Sequence, residues 1–133
     1  MSSKAGLKQT PYALLGGDAA VRGLVDRFYD LMDTEPGFAG IRKLHQADLS
    51  AAREKLYLFL SGWLGGPQLY AERFGHPALR ARHLPFAIGE AERDLWLACM
   101  SRAMQDVGID EALRQGLGDA FFKTADWMRN RER

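Results

Sequence analysis

Apolar residues in this chain recur at three- and four-residue spacing in four long runs, the first three of them cut short by glycine or proline. The first begins at Asp18, carries Val21, Leu24, Val25, Phe28, Leu31 and Met32, and stops at Glu35-Pro36-Gly37. The second, capped by Asp48 or Ser50, aligns Leu49, Ala52, Leu56, Phe59, Leu60 and Trp63 before Gly65-Gly66-Pro67. A third aligns Glu92, Leu95, Trp96, Cys99, Ala103 and Val107 and closes at Gly108. The fourth opens at Asp110 and turns Leu113, Leu117, Ala120, Phe121, Thr124 and Met128 inward. Residues so spaced share one face of a helix, whereas a half-buried strand needs strict alternation, which no segment offers. Shorter pieces fill the intervals. Thr10-Pro11 caps and starts a brief helix that Gly16-Gly17 ends, and Phe38, Ile41 and Leu44 suggest short turns leading to His45. Between Pro67 and Gly89 the spacing predicts loop and one short helix, Ala78 to His83. The pattern predicts an all-α fold of helices joined by short breaks rather than a symmetric bundle.

At 133 residues the chain is the size of one domain spanning residues 1–133, with residues 1–10 expected to be a flexible extension. Its 47% hydrophobic content supplies a core without disulfides or structural metal. Eighteen Lys and Arg against seventeen Asp and Glu give a net charge of +1, so there is no broad basic field, which argues against nucleic acid or an anionic membrane as partner. Cys99 is the only cysteine, which excludes an intramolecular disulfide and any multi-cysteine metal centre and suits a reducing compartment. The first residues lack a signal-peptide core, and no run of about 18 apolar residues occurs, so a soluble cytoplasmic protein is expected.

Three histidines, His45, His76 and His83, are the first candidates for chemistry. No pair lies four apart on a helix and no His-Glu-x-x-His occurs, which leaves a zinc enzyme poorly supported. A single imidazole giving one axial bond to a large cofactor is compatible with His83, which ends a short helix and precedes the rigid apolar exit Leu84-Pro85-Phe86. By residue type alone, a histidine there is more often a solvated helix end. Tyr29 and Trp96 sit on inward faces and could aim O–H and N–H donors into a pocket, although aromatic residues at this spacing are more often plain core. Gly65-Gly66-Pro67 follows a helix and lacks the lysine of a phosphate loop, and neither a Ser-His-Asp order nor a nucleophile elbow is present.

Several motifs in order resemble the group II truncated haemoglobins. They are Phe28-Tyr29, Leu64-Gly65-Gly66-Pro67, Tyr70, Gly75-His76-Pro77, Leu79-Arg80-Ala81-Arg82-His83, Pro85-Phe86 and the stretch Glu92 to Met100. The resemblance runs from about Pro11 into the last helix. It implies a truncated globin, a two-over-two helical sandwich around haem b, with His83 as the proximal iron ligand and its other ring nitrogen donating to a backbone carbonyl at Leu79. By the same resemblance Tyr29, His45 and Trp96 are the distal polar residues facing a bound gas. Ala52 stands where ordinary globins place a distal histidine, and Leu56 is the apolar distal position one turn on. Lys55 and Arg82 match positions near the haem propionates, with Tyr70 and Arg53 as lesser candidates. The rest of the wall is Leu56, Phe59, Leu60, Leu79, Phe86, Ile88 and Met128.

The function implied is binding of O2, and of CO, NO or peroxide, with slow O2 release through the Tyr29 and Trp96 donors. The alternatives are a nitric oxide dioxygenase or peroxidase using the same haem with a separate reductase, or a haem-free helical interaction module. Group members carry tyrosine or histidine at the site of His45. The histidine here is also a candidate iron ligand in the unliganded protein. A monomer or homodimer is expected.

Overall fold

Thr10 begins the helical part of the chain as its chemistry demands, its hydroxyl accepting the free Ala13 N–H at 3.1 Å. In the computed structural model, which describes residues 9–132, α1 (Pro11–Leu15) ends at Gly16 in the left-handed conformation. The expected flexible extension falls outside the described residues except for Gln9 and Thr10. Then come α2 (Asp18–Thr34), a 3-10 turn (Pro36–Phe38), α3 (Ala39–Arg42), α4 (Ser50–Trp63), α5 (Leu69–Phe74), α6 (Leu79–His83), α7 (Glu90–Asp106) and α8 (Glu111–Trp127). No strand occurs among the described residues.

The core is the meeting of α2 with α4 and α7, and of α7 with α8. All six apolar residues read from the α2 stripe are buried, together with Tyr29. Each large side chain removed from water there contributes about 1.5–3 kcal/mol before the entropy of ordering it. Across the exposed edge, Arg53 of α4 reaches Asp26 and Asp30 of α2, the latter at 2.7 Å.

Four sequence expectations are refined. The segment after Pro67 holds two short helices, because Leu69 and Tyr70 pack onto the α4 side and nucleate α5. Val107 is 42% exposed, and Met100 and Met104 join Cys99 and Ala103 on the buried face of α7 instead. The buried face of α4 is Tyr57, Leu58, Leu60 and Ser61, with Leu64 beyond, whereas Ala52, Leu56, Phe59 and Trp63 remain half-buried. An apolar stripe was correctly located, but part of it is turned away from the protein's own core. Leu49 also occupies the α4 N-cap, with Asp48 accepting from Ser50 N–H at 2.8 Å, so neither expected residue stands at the cap itself.

Candidate functional site

The half-buried stripe of α4 and the facing residues of α6, α7 and α8 define the site. On one side, α2 and α7 bring a cluster of rings together. Phe28 lies 5.0 Å from Tyr29 and 5.2 Å from Trp96, and Tyr29 meets His45 edge-on at 5.8 Å. The chain thus unites the three expected distal residues around Phe28, although His45 arrives from the turn after α3 and Trp96 from a helix about fifty residues further on.

The polar atoms of this cluster are not equivalent. Tyr29 is only 5% exposed, yet its hydroxyl forms no hydrogen bond among the described residues. Burial pushes its phenol well above the ordinary tyrosine value, partly offset by the charge of Arg53, so the hydroxyl keeps its proton. His45 Nδ1 lies 2.9 Å from the Ile41 carbonyl, which accepts only, so Nδ1 carries the hydrogen. Burial lowers the His45 pKa against the raising effect of that carbonyl, and the charges of Arg42 and His83 lower it further. The ring is therefore neutral near pH 7, and its Nε2 presents a lone pair rather than a donor.

His83 stands half-buried at the end of α6. Its Nδ1 donates to the Leu79 carbonyl one turn back at 2.7 Å, which leaves the Nε2 lone pair free to ligate. Helix α6 begins after Ala78, a non-glycine residue at φ 48, and His76 Nδ1 accepts the Ala78 N–H at 3.0 Å. His76 is thus part of the turn that launches α6.

Phe59, Trp63, Met128 and the turn and helix start His76–Ala81, with Lys123, Thr124 and Trp127, line an open, mostly apolar cavity of about 570 Å3, which His83, Tyr29, His45 and Trp96 do not line. Tyr70 is buried beside a separate cavity of about 120 Å3, shared with Phe59 and Trp63. Leu60 is in the core, Ile88 and Met128 are buried, and Lys55, Arg82 and Phe86 are exposed. Arg82 donates to the Pro77 carbonyl at 2.8 Å, and its guanidinium sits 5.8 Å from the Tyr70 ring. Trp63, which stacks on Phe121 at 4.6 Å, and Phe121, which meets Trp96 at 5.4 Å, form a cross-brace that the sequence marked only as packing.

These residues fit a haem. His83 offers a fixed imidazole with a free nitrogen lone pair, Tyr29 offers a hydroxyl with no protein partner among the described residues, and the half-buried side chains of α4 are aromatic and aliphatic. Soft apolar walls with one nitrogen ligand suit an iron porphyrin, and among the described residues no cluster of His, Cys, Asp or Glu could hold a bare ion.

Comparison with known proteins agrees. The family model described as bacterial-like globin matches residues 10–130. The group 2 truncated hemoglobin YjbI of Bacillus subtilis is 40% identical over 120 residues, covering 90% of this chain and 88% of that one. Among solved structures, the group II 2-on-2 hemoglobin of Agrobacterium tumefaciens is 46% identical, with a TM-score of 0.90 over 96% of this chain and 99% of that chain. The truncated oxygen-avid haemoglobin from Bacillus subtilis is 39% identical, with a TM-score of 0.84 over 92% of this chain and 100% of that chain. Sequence, fold and site converge, and this chain belongs to the bacterial-like globins, as a group II two-on-two truncated haemoglobin with haem b as its cofactor.

Proposed function

We propose that this globin holds O2 tightly and releases it slowly, with His83 as the iron ligand and the Tyr29 hydroxyl and Trp96 indole N–H as donors to the gas. Haem-based binding of diatomic ligands is the activity of the family. When bound, haem supplies an iron that accepts a diatomic ligand and gives its outer atom acceptor character.

The observation that carries the reading is the Tyr29 hydroxyl, which keeps its proton and has no protein hydrogen-bond partner among the described residues, on a side chain that is otherwise buried. A hydroxyl with no protein partner is free to donate to a guest, and such a bond contributes about 1 kcal/mol net. Trp96 packs against Phe28 and Phe121, which fix the plane of the indole and the direction of its N–H. His45 does not donate in this tautomer; its lone pair sets the polarity beside Tyr29. The apolar side chains of Leu56 and Phe59 keep water from competing for the donors, and the oxygen-avid relative points the same way.

Each donor contributes about 1–1.5 kcal/mol net, which corresponds to roughly 5- to 10-fold in dissociation rate. Stopped-flow O2 displacement by CO should therefore show Tyr29→Phe and Trp96→Leu each releasing O2 faster by about that factor. Unchanged rates in both variants would reject the assigned donors.

A further inference from the structure

Helix α6 carries His83 but has little of its own to hold it in place. It is five residues long, shorter than a helix that persists alone, and it has no buried residue and no side-chain cap. The following residues, Leu84 to Ala87, are exposed. Packing therefore does not explain what fixes the proximal imidazole.

The hydrogen bonds do. Beyond α8 the chain turns back, and the side-chain amide of Asn130 sits over the loop that leaves α6. Its Nδ2 donates to the carbonyls of His83 at 3.3 Å and Phe86 at 2.7 Å, and its Oδ1 accepts the Ile88 N–H at 2.9 Å. The main-chain N–H groups of Asn130 and Arg131 both donate to the Ile88 carbonyl, at 2.9 and 3.1 Å. One amide thus satisfies both of its donor hydrogens and its acceptor on a loop whose residues 84–87 are exposed and whose one buried side chain is Ile88. Arg80 of α6 completes the attachment, donating to the carbonyls of Trp127 and Arg129 at 3.3 and 3.2 Å. The tail is anchored in turn through Asp126, which pairs with Arg93 of α7 and with Arg129.

We infer that Asn130 is a positioning residue for the proximal ligand: its amide clasps the main chain at His83, Phe86 and Ile88 and thereby sets the orientation of the His83 imidazole toward the haem iron. The inference rests on the reading of His83 as that ligand. A carbonyl fixed at the last residue of α6 fixes the rotation of that residue's backbone, and the bond from Nδ1 to Leu79 carries the constraint into the ring. Without the amide, His83 keeps its ring hydrogen bond, but the helix end is free to shift.

The test uses the haem-loaded full-length protein and two variants. Asn130→Ala removes all three side-chain bonds. Asn130→Asp keeps the acceptor for Ile88 but replaces the donor facing His83 and Phe86, and it serves if the alanine variant folds poorly. Hydrogen exchange across residues 84–89 should accelerate about tenfold or more in either variant, as expected when bonds of this strength are lost. The iron–histidine stretching band of the ferrous unliganded protein should shift or broaden, and haem transfer to excess apomyoglobin should quicken by about the same factor. Exchange and band position both equal to wild type would overturn the clasp. His83→Ala separates the two readings. Loss of the band supports His83 as ligand, whereas its persistence would overturn that assignment while the exchange measurement still reports whether Asn130 holds the loop.

Discussion

Tyr29 and His45 show how two polar side chains at ring-contact distance acquire opposite roles. Tyr29 lacks a protein partner and remains a donor; His45 spends its only hydrogen on Ile41 and remains an acceptor. His45→Leu is therefore expected to change O2 dissociation by less than about threefold, well below the combined effect of losing both donors, as stopped-flow comparison will show. Cys99 illustrates a different outcome of burial. Its thiol donates to the Phe28 carbonyl at 3.3 Å and, pushed up to about 12 by desolvation, carries almost no thiolate at neutral pH. Labelling by a thiol-exchange reagent at pH 8 should proceed only after denaturation; rapid labelling of the native protein would contradict this. Residue types and a recognisable order made His83, Tyr29 and Trp96 legible in the sequence. The tautomer of His45 was not, because it depends on a carbonyl brought near by the fold of the α3 turn.

Among the elements, α1 is held to the end of α4 by a close approach rather than by bulk burial. Tyr12 N–H donates to the Leu64 carbonyl at 2.9 Å, and a Cβ on Gly66 would lie 2.4 Å from the Tyr12 ring. Gly66→Ala should push that ring aside and cost about 1–3 kcal/mol, read as a fall in Tm. Gly116, exposed in the middle of α8 with nothing within 4 Å of an added Cβ, gives the opposite sign: Gly116→Ala should stabilise by about 0.5–1 kcal/mol. The long helices were readable because glycine and proline mark their ends and apolar spacing marks their faces. Helix α5 was not, since six residues carry too short a pattern and owe their conformation to the α4 surface they meet. For α4, periodicity marked the stripe as apolar and only the family resemblance assigned Ala52, Leu56 and Phe59 to the haem wall, because periodicity does not record whether protein or cofactor covers a surface.

For the whole molecule, one acid-sensitive contact lies where the chain closes on itself. Hydrogen bonds from Arg93 and then Arg129 hold the Asp126 carboxyl below its ordinary value of 3.8. A carboxylate depressed on folding contributes stability that is fully present above its unfolded value and is lost as pH falls through the folded one. The Tm difference between wild type and Asp126→Asn should therefore be constant from neutral pH down to about 5 and shrink below about 4. A difference that persists at pH 3 would place the effect elsewhere. No helix among the described residues is long and apolar enough to cross a membrane. By itself the amino-acid sequence determined the all-α class, the extents of the four long helices and the family, because these depend on periodicity and on ordered motifs along the chain. Only the tertiary structure decided which apolar stripe is turned from the core, which ring nitrogen of His45 bears hydrogen, and that Asn130 reaches back over forty residues to the loop after His83. The reason is that hydrogen-bond partnership is a property of distance in space, and the breaks between helices, not the helices themselves, determine which distant residues meet.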